Sequence, residues 1–176
     1  SDELCQTVYH FFFTLVKGGN IWFNIRRMNK LETRTHYEAA RRLLAQSRRI
    51  LVSGHLSPDG DSLGSMIALS RLLRAAGYDA YATADVRTLG KPGFLEGVAD
   101  LIPLRKLRRR KFDLFVYVDA ATPARLPPEV RPFAEKLPTL ILDHHATSQE
   151  TGTVSIIDPS AAATGELVWR FAKWME

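Results

Sequence analysis

From residue 35 onward the apolar positions of the chain change period repeatedly. In "HYEAARRLLAQS" (36–47) Tyr37, Ala40, Leu43 and Leu44 fall three or four apart, one stripe of an amphipathic helix, with Thr35 placed to cap it. "RILVSG" (49–54) is a short continuous apolar run stopped by Gly54, the pattern of a strand buried on both faces. "DSLGSMIALSRLLRAAG" (61–77) returns to helical spacing, with Leu63, Ile67, Leu69, Leu72 and Leu73 inward and Gly77 at its end. Next, "DAYAT" (79–83) predicts a strand, and "KPGFLEGVADLIPL" (91–104) a loop with one helical turn. "DLFVYVD" (113–119) and "TLILD" (139–143) predict central strands, separated by a short helix in "PPEVRPFAEKL" with Pro128 near its first turn. "VSIID" (154–158) predicts a last strand, and Thr164 begins a final helix.

Strands alternating with helices at this spacing predict βαβ units. The expected fold is α/β: a Rossmann-like, mostly parallel sheet with helices on both faces. The 176 residues amount to one domain, with no internal repeat and no low-complexity linker. Residues 1–34 read as an N-terminal extension and 35–176 as the domain proper. The chain does not open on Met, and Met28 is a candidate natural start that would leave residues 1–27 upstream of the protein. The final helical pattern is still running at residue 176, so the protein is expected to continue past it.

Composition narrows the function classes only a little. Hydrophobic residues make up 45% and charged residues 24%, as in ordinary globular proteins. The single cysteine, Cys5, excludes an internal disulfide framework and a multi-cysteine zinc site, and fits a reducing cytoplasm, the expected location. No stretch approaches the ~20 apolar residues of a membrane span. "FFFTLV" (11–16) is too short and follows the acidic Asp2 and Glu3, so neither a membrane segment nor a secretory signal is expected. The net charge of +5 weakly favours anionic partners. Much of the excess sits in "RKLRRRK" (105–111), which reads either as a solvated face or as a contact for a nucleic-acid backbone.

The chemistry concentrates at three strand ends. "RILVSG" runs into His55, with Asp59 and Asp61 close behind; "DLFVYV" runs into Asp119; "TLIL" runs into Asp143, His144 and His145. Parallel strands point one way and ligands bind beyond their carboxyl ends, so these residues meet at one edge of the sheet. Four carboxylates that close cannot all stay ionised without compensation, which bound divalent cations supply. Mixed His/Asp ligation suits Mn²⁺, Fe²⁺, Co²⁺ or Zn²⁺, and there are enough donors for two ions ~3.5–4 Å apart. Pro58 and Gly60 shape the loop that turns Asp59 and Asp61 inward. Gly64 and Ser65, at the start of the following helix, are expected to offer an N–H and a hydroxyl to a phosphate. Asp158 reads as a cap on the turn into Pro159. Thr164 and Glu166 read as a capping pair whose helix N-terminus could also touch substrate.

Taken together, "HLSPDGD" (55–61), "VDA" (118–120) and "DHH" (143–145) resemble the first three motifs of the DHH phosphoesterases. "HLSPDGDSLGS" with "ATGEL" (163–167) is most similar to the nanoRNase/pAp-phosphatase branch, less to the single-strand DNA exonucleases or the family II inorganic pyrophosphatases. The resemblance covers about residues 36–176. It implies two Mn²⁺ ions, for which Mg²⁺ or Co²⁺ can substitute: His55 and Asp59 on one, Asp61 and His144 on the other, Asp119 bridging. Asp143 would orient its neighbours, and His145 would face the scissile phosphate. The implied activity is hydrolysis of short oligoribonucleotides and of 3′-phosphoadenosine 5′-phosphate by in-line attack of an activated water. The partners implied are short RNA or nucleotide substrates and no membrane, with a homodimer left open. The family also carries a fourth-motif carboxylate and a C-terminal substrate-binding domain, both expected beyond residue 176; Asp158 lies too close to the triplet to be that ligand. The rival readings are a cyclic-dinucleotide phosphodiesterase and a non-catalytic nucleotide- or metal-sensing module.

Overall fold

Among the described residues the most apolar runs lie side by side. The computed structural model describes residues 30–85 and 95–175, with side chains from residue 34. In it β1 (Arg49–Ser53), β4 (Leu114–Val118) and β5 (Thr139–Asp143) form the middle of a six-stranded sheet. Both faces of these strands are buried, which is why their sequences read as continuous apolar runs instead of alternating ones. β2 (Asp79–Ala84) and a two-residue β3 (Ile102–Pro103) extend the sheet beyond β1, and β6 (Val154–Ile157) extends it beyond β5. The order is β3-β2-β1-β4-β5-β6 and every neighbouring pair is parallel. In such a doubly wound sheet the crevice opens where the winding reverses, here between β1 and β4.

Helices cover both faces, unequally. α1 (Lys30–Ala45), α2 (Gly60–Ala75) and α4 (Thr164–Met175) share one face, packing Leu44, Leu69 and Phe171 against Ile50, Val116 and Leu142. Among the described residues the other face carries the short α3 (Arg131–Lys136) and a 3₁₀ turn over Leu104–Arg109, beside which Val130 and Leu107 pack against Leu51, Phe115 and Ile141. Among the described residues no helix is long and apolar enough to cross a membrane.

Several boundaries differ from the sequence expectation. α1 is already helical at Lys30, so Thr35 lies inside the helix and does not cap it. α2 starts at Gly60 with Asp59 as its cap and ends at Ala75, two residues before Gly77, whose φ of +92° suits glycine. α3 begins after Pro128, and Pro132 takes the early helical position instead. β3 was not expected inside 91–104; the helical turn there is Val98–Asp100. The readings placed on residues 1–29, and the start of the 91–104 loop, lie outside the described residues.

Gly54, just past β1, marks where α2 crosses closest to the strand. A Cβ there would sit 2.2 Å from Ser62 Oγ and 3.2 Å from Met66 Sδ. Gly54→Ala is therefore expected to cost ~1–3 kcal/mol through overpacking. Adding Ser62→Ala should return most of that, because the Ser62 hydroxyl is buried without a hydrogen-bond partner. Thermal unfolding of the single and double variants checks this; an unchanged midpoint for Gly54→Ala would mean the strand exit moves freely.

Candidate metal centre

The parallel sheet delivers its polar strand ends to one place. His55 lies two residues past β1, Asp119 follows β4 directly, and Asp143 closes β5 with His144 and His145 next in line. Asp59 and Asp61 come from the start of α2, where Asp59 Oδ1 accepts the Ser62 N–H at 3.0 Å. Asp119 is only 2% exposed. Its backbone is left-handed, with φ of +56°, and Ala121 follows at +51°. Aspartate tolerates that region better than most residues, and its N–H is anchored on the Leu142 carbonyl at 3.0 Å.

The two oxygens of Asp119 face opposite ways. Oδ2 is 3.7 Å from His55 Nε2, while Oδ1 is 3.7 Å from His144 Nε2 and 3.6 Å from His145 Nδ1. Asp119 thereby belongs to two donor groups, His55–Asp59–Asp119 and Asp119–His144–His145, each with one ligand atom per residue within 4.8 Å of the others. A carboxylate shared between two such groups is the arrangement a pair of divalent cations would need, and nitrogen with oxygen donors fits a first-row transition ion.

The electrostatics divide the carboxylates by role. Burial above all, then the nearby Asp61 and Asp59, pushes Asp119 up to about 6 against the opposing hydrogen bond from Thr164. His55 is held below its usual value, first by burial and then by Arg125 and His145, so the neutral, donor form of the ring is favoured. For Asp143 burial acts upward too, but hydrogen bonds from the His145 ring and N–H, Ala121 N–H and Ser148 prevail and hold it low. Asp143 Oδ1 accepts the His145 N–H at 3.1 Å and lies 2.7 Å from His145 Nδ1; Oδ2 accepts the Ala121 N–H. An ionised carboxylate only accepts, so His145 Nδ1 carries the proton and Nε2 remains for chemistry. His144 follows the same logic more loosely: Nδ1 lies 3.4 Å from the Ala161 carbonyl, and Nε2 is 3.8 Å from Asp61 Oδ2.

A further contributor is Thr164, which the sequence places in a capping pair on a helix N-terminus able to touch substrate. The first amides of α4 are spent on Asp61: Thr164 N–H donates to Oδ2 at 2.8 Å and Gly165 N–H to Oδ1 at 2.9 Å. The Thr164 hydroxyl donates to Asp119 Oδ1 at 3.0 Å. A helix N-terminus thus stabilises two of the carboxylates directly. Glu166 does act as expected of a capping residue, accepting the Ala162 N–H at 2.8 Å, and it also pairs with Arg170. Gly64 and Ser65 are buried within α2. Because the helix begins at Gly60, the Gly64 amide falls past the first, unpaired turn. The Ser65 hydroxyl donates to Asp61 Oδ1 at 3.2 Å. Asp158 is occupied elsewhere, accepting from Ser160 N–H at 2.9 Å and from Arg170 at 2.7 Å. Burial would raise its pKa, but these bonds hold it low.

Residues 49–176 match the family described as DHH family, N-terminal domain. The bifunctional oligoribonuclease and PAP phosphatase NrnA of Thermus thermophilus is 36% identical over 124 residues, 68% of this chain and 35% of that protein. The cyclic-di-AMP phosphodiesterase GdpP of Geobacillus thermodenitrificans is 28% identical over 171 residues, 86% of this chain and 26% of that protein. An exopolyphosphatase-related protein from Bacteroides fragilis shares the fold, with a TM-score of 0.70 at 19% identity over 81% of this chain and 44% of that one. The chain spans about a third or less of the length of the two curated relatives.

Proposed function

This chain belongs to the DHH family, and on that premise we propose that it forms the catalytic half of a cytoplasmic, Mn²⁺-dependent phosphoesterase acting on short oligoribonucleotides and 3′-phosphoadenosine 5′-phosphate. The observation that carries this reading is Asp119, whose two oxygens each face a separate imidazole-bearing donor group. His55 and Asp59 would hold one ion, Asp61 and His144 the other, with Asp119 shared. When bound, such ions activate water and neutralise the phosphate under attack.

The chain's own residues supply orientation and a proton site. Thr164 and Gly165 fix the Asp61 carboxylate, with Ser65 helping behind it; on this reading Ser65 serves the centre through Asp61 instead of meeting the phosphate. His145 is kept for the phosphate, although it belongs to a donor group, because its Nδ1 is committed to Asp143. In that tautomer Nε2 holds the lone pair, so it would meet the reacting group as a hydrogen-bond or proton acceptor. Asp143 positions that ring without touching substrate.

Calorimetry on the complete protein is expected to count about two Mn²⁺ per chain, and hydrolysis of short RNA should be far faster with Mn²⁺ than with Ca²⁺. Absence of Mn²⁺ binding would sink the proposal. The reading includes a substrate-holding domain and a fourth-motif carboxylate beyond residue 176. The 176-residue chain alone should then bind one Mn²⁺ well, the second poorly, and turn over little. The similarity to a cyclic-di-AMP phosphodiesterase over most of the chain favours a second reading, cyclic-dinucleotide cleavage. Rates on linear and cyclic dinucleotides at equal concentration separate the two.

A further inference from the structure

The basic run at 105–111 comes just before β4 in the chain and supplies none of the donors of the centre. Arg105, Lys106, Arg108, Arg109, Arg110 and Lys111 are all exposed, whereas Leu104 and Leu107 are buried in the core. The two leucines pin the backbone as a 3₁₀ turn over Leu104–Arg109. In a 3₁₀ turn residues three apart share a side, so Arg105 leaves the turn on the same side as Arg108, and Lys106 on the same side as Arg109. No acidic residue occurs between 101 and 112, and among the described residues these four cations make no ion pair. Arg110 is the exception in kind, its guanidinium lying 4.6 Å from the Tyr81 ring centroid.

Placement makes the run directional. β3 pairs with the last residues of β2, Thr83 with Ile102 and Ala84 with Pro103, so the turn starts at the carboxyl edge of the sheet. By Asp113 the chain has reached the opposite edge, where the Asp113 N–H donates to the Arg49 carbonyl at 3.0 Å. The cations therefore run from one sheet edge toward the other, Arg105 to Arg109 covering ~8 Å at the ~2 Å rise of a 3₁₀ turn. The upper end stands two strands from β1, ~10 Å from the strand that delivers His55. A row of self-repelling cations held rigid by buried leucines is stabilised by a partner of opposite charge, and four such cations suffice to neutralise about three phosphates of a strand.

We infer that this strip docks the phosphate backbone of a single-stranded nucleic acid whose end lies at the carboxyl edge of the sheet. The inference rests on the phosphoesterase reading only in choosing nucleic acid among polyanions. Its test therefore reads binding, not hydrolysis. Fluorescence anisotropy of a labelled single-stranded RNA against the full chain, with chelator present, is followed over a salt series. About three contacts predict a slope of log K against log salt near −2. The quadruple variant R105S/K106S/R108S/R109S should bind at least tenfold more weakly at low salt and lose most of that slope, with its thermal midpoint unchanged. If it does not fold, R105S/R108S should show about half the loss. A variant slope equal to that of the unaltered chain would overturn the inference. So would strip-dependent binding to phosphatidylserine vesicles with none to RNA, which would make this a membrane face.

Discussion

Asp119→Asn is expected to lower turnover by two orders of magnitude or more while making the metal-free protein more stable. The amide keeps the shape and tolerates the left-handed backbone at φ of +56°, but removes the charge that both donor groups share. The stability effect has a definite sign. Asp119 titrates at about 6 in the fold against 3.8 for the free side chain. Ionisation is therefore disfavoured by folding, and stability is lost as pH rises from about 4 to about 6. Above that window the variant should exceed the parent by ~1–3 kcal/mol in chelator, and the gap should close below about pH 4. Denaturant unfolding at pH 7 and pH 3.5 with chelator, beside a turnover assay with Mn²⁺, measures both effects. Near-normal turnover would make Asp119 only a turn residue.

Asp143→Asn should be the other severe change, for a different reason. The Asp143 carboxylate is fully buried and accepts from Ala121 N–H, His145 N–H and His145 Nδ1. An amide has a single acceptor oxygen, so at least one of these donors would meet an N–H. We expect a stability loss of ~2–4 kcal/mol and a fall in turnover of ~10²-fold, because the His145 tautomer is no longer imposed. His145→Gln separates the two effects. It should lose turnover comparably while keeping most of the stability, as the ring is only part-buried. Turnover within a few-fold of normal in Asp143→Asn would show that His145 does not act through Asp143.

The strand-end residues were legible in the sequence because a parallel sheet converts a local pattern, an apolar run followed by Asp or His, into a shared location. The apolar cores of β1, β4 and β5 and the buried stripe of α2 were legible for the same reason: burial imposes periods. What escaped has no period. β3 is two residues long and contains a proline, too short to alternate. The bonds from Thr164 and Gly165 to Asp61 join residues over a hundred positions apart, and no spacing along the chain foretells them. The helical spacing predicts the start of α2 one residue late, at Asp61, which puts Gly64 and Ser65 in its first turn. With Asp59 as the cap they fall in the second turn, where the amide belongs to the helix ladder.

The donors of the centre lie just past β1, β4 and β5 and at the start of α2, and none of these strands is joined to its neighbour by a hairpin. Parallel pairing needs a crossover, so every pairing that builds the centre is made between distant parts of the chain, and such contacts form late in folding. No early, locally folded fragment offers a complete donor set. A cation would then act as a lock turned after assembly, not as a nucleus for it. Asp119 spans the seam where Ile50–Ser53 of β1 meet Leu114–Tyr117 of β4, so the slow escape of a bound ion into chelator would time the opening of that seam.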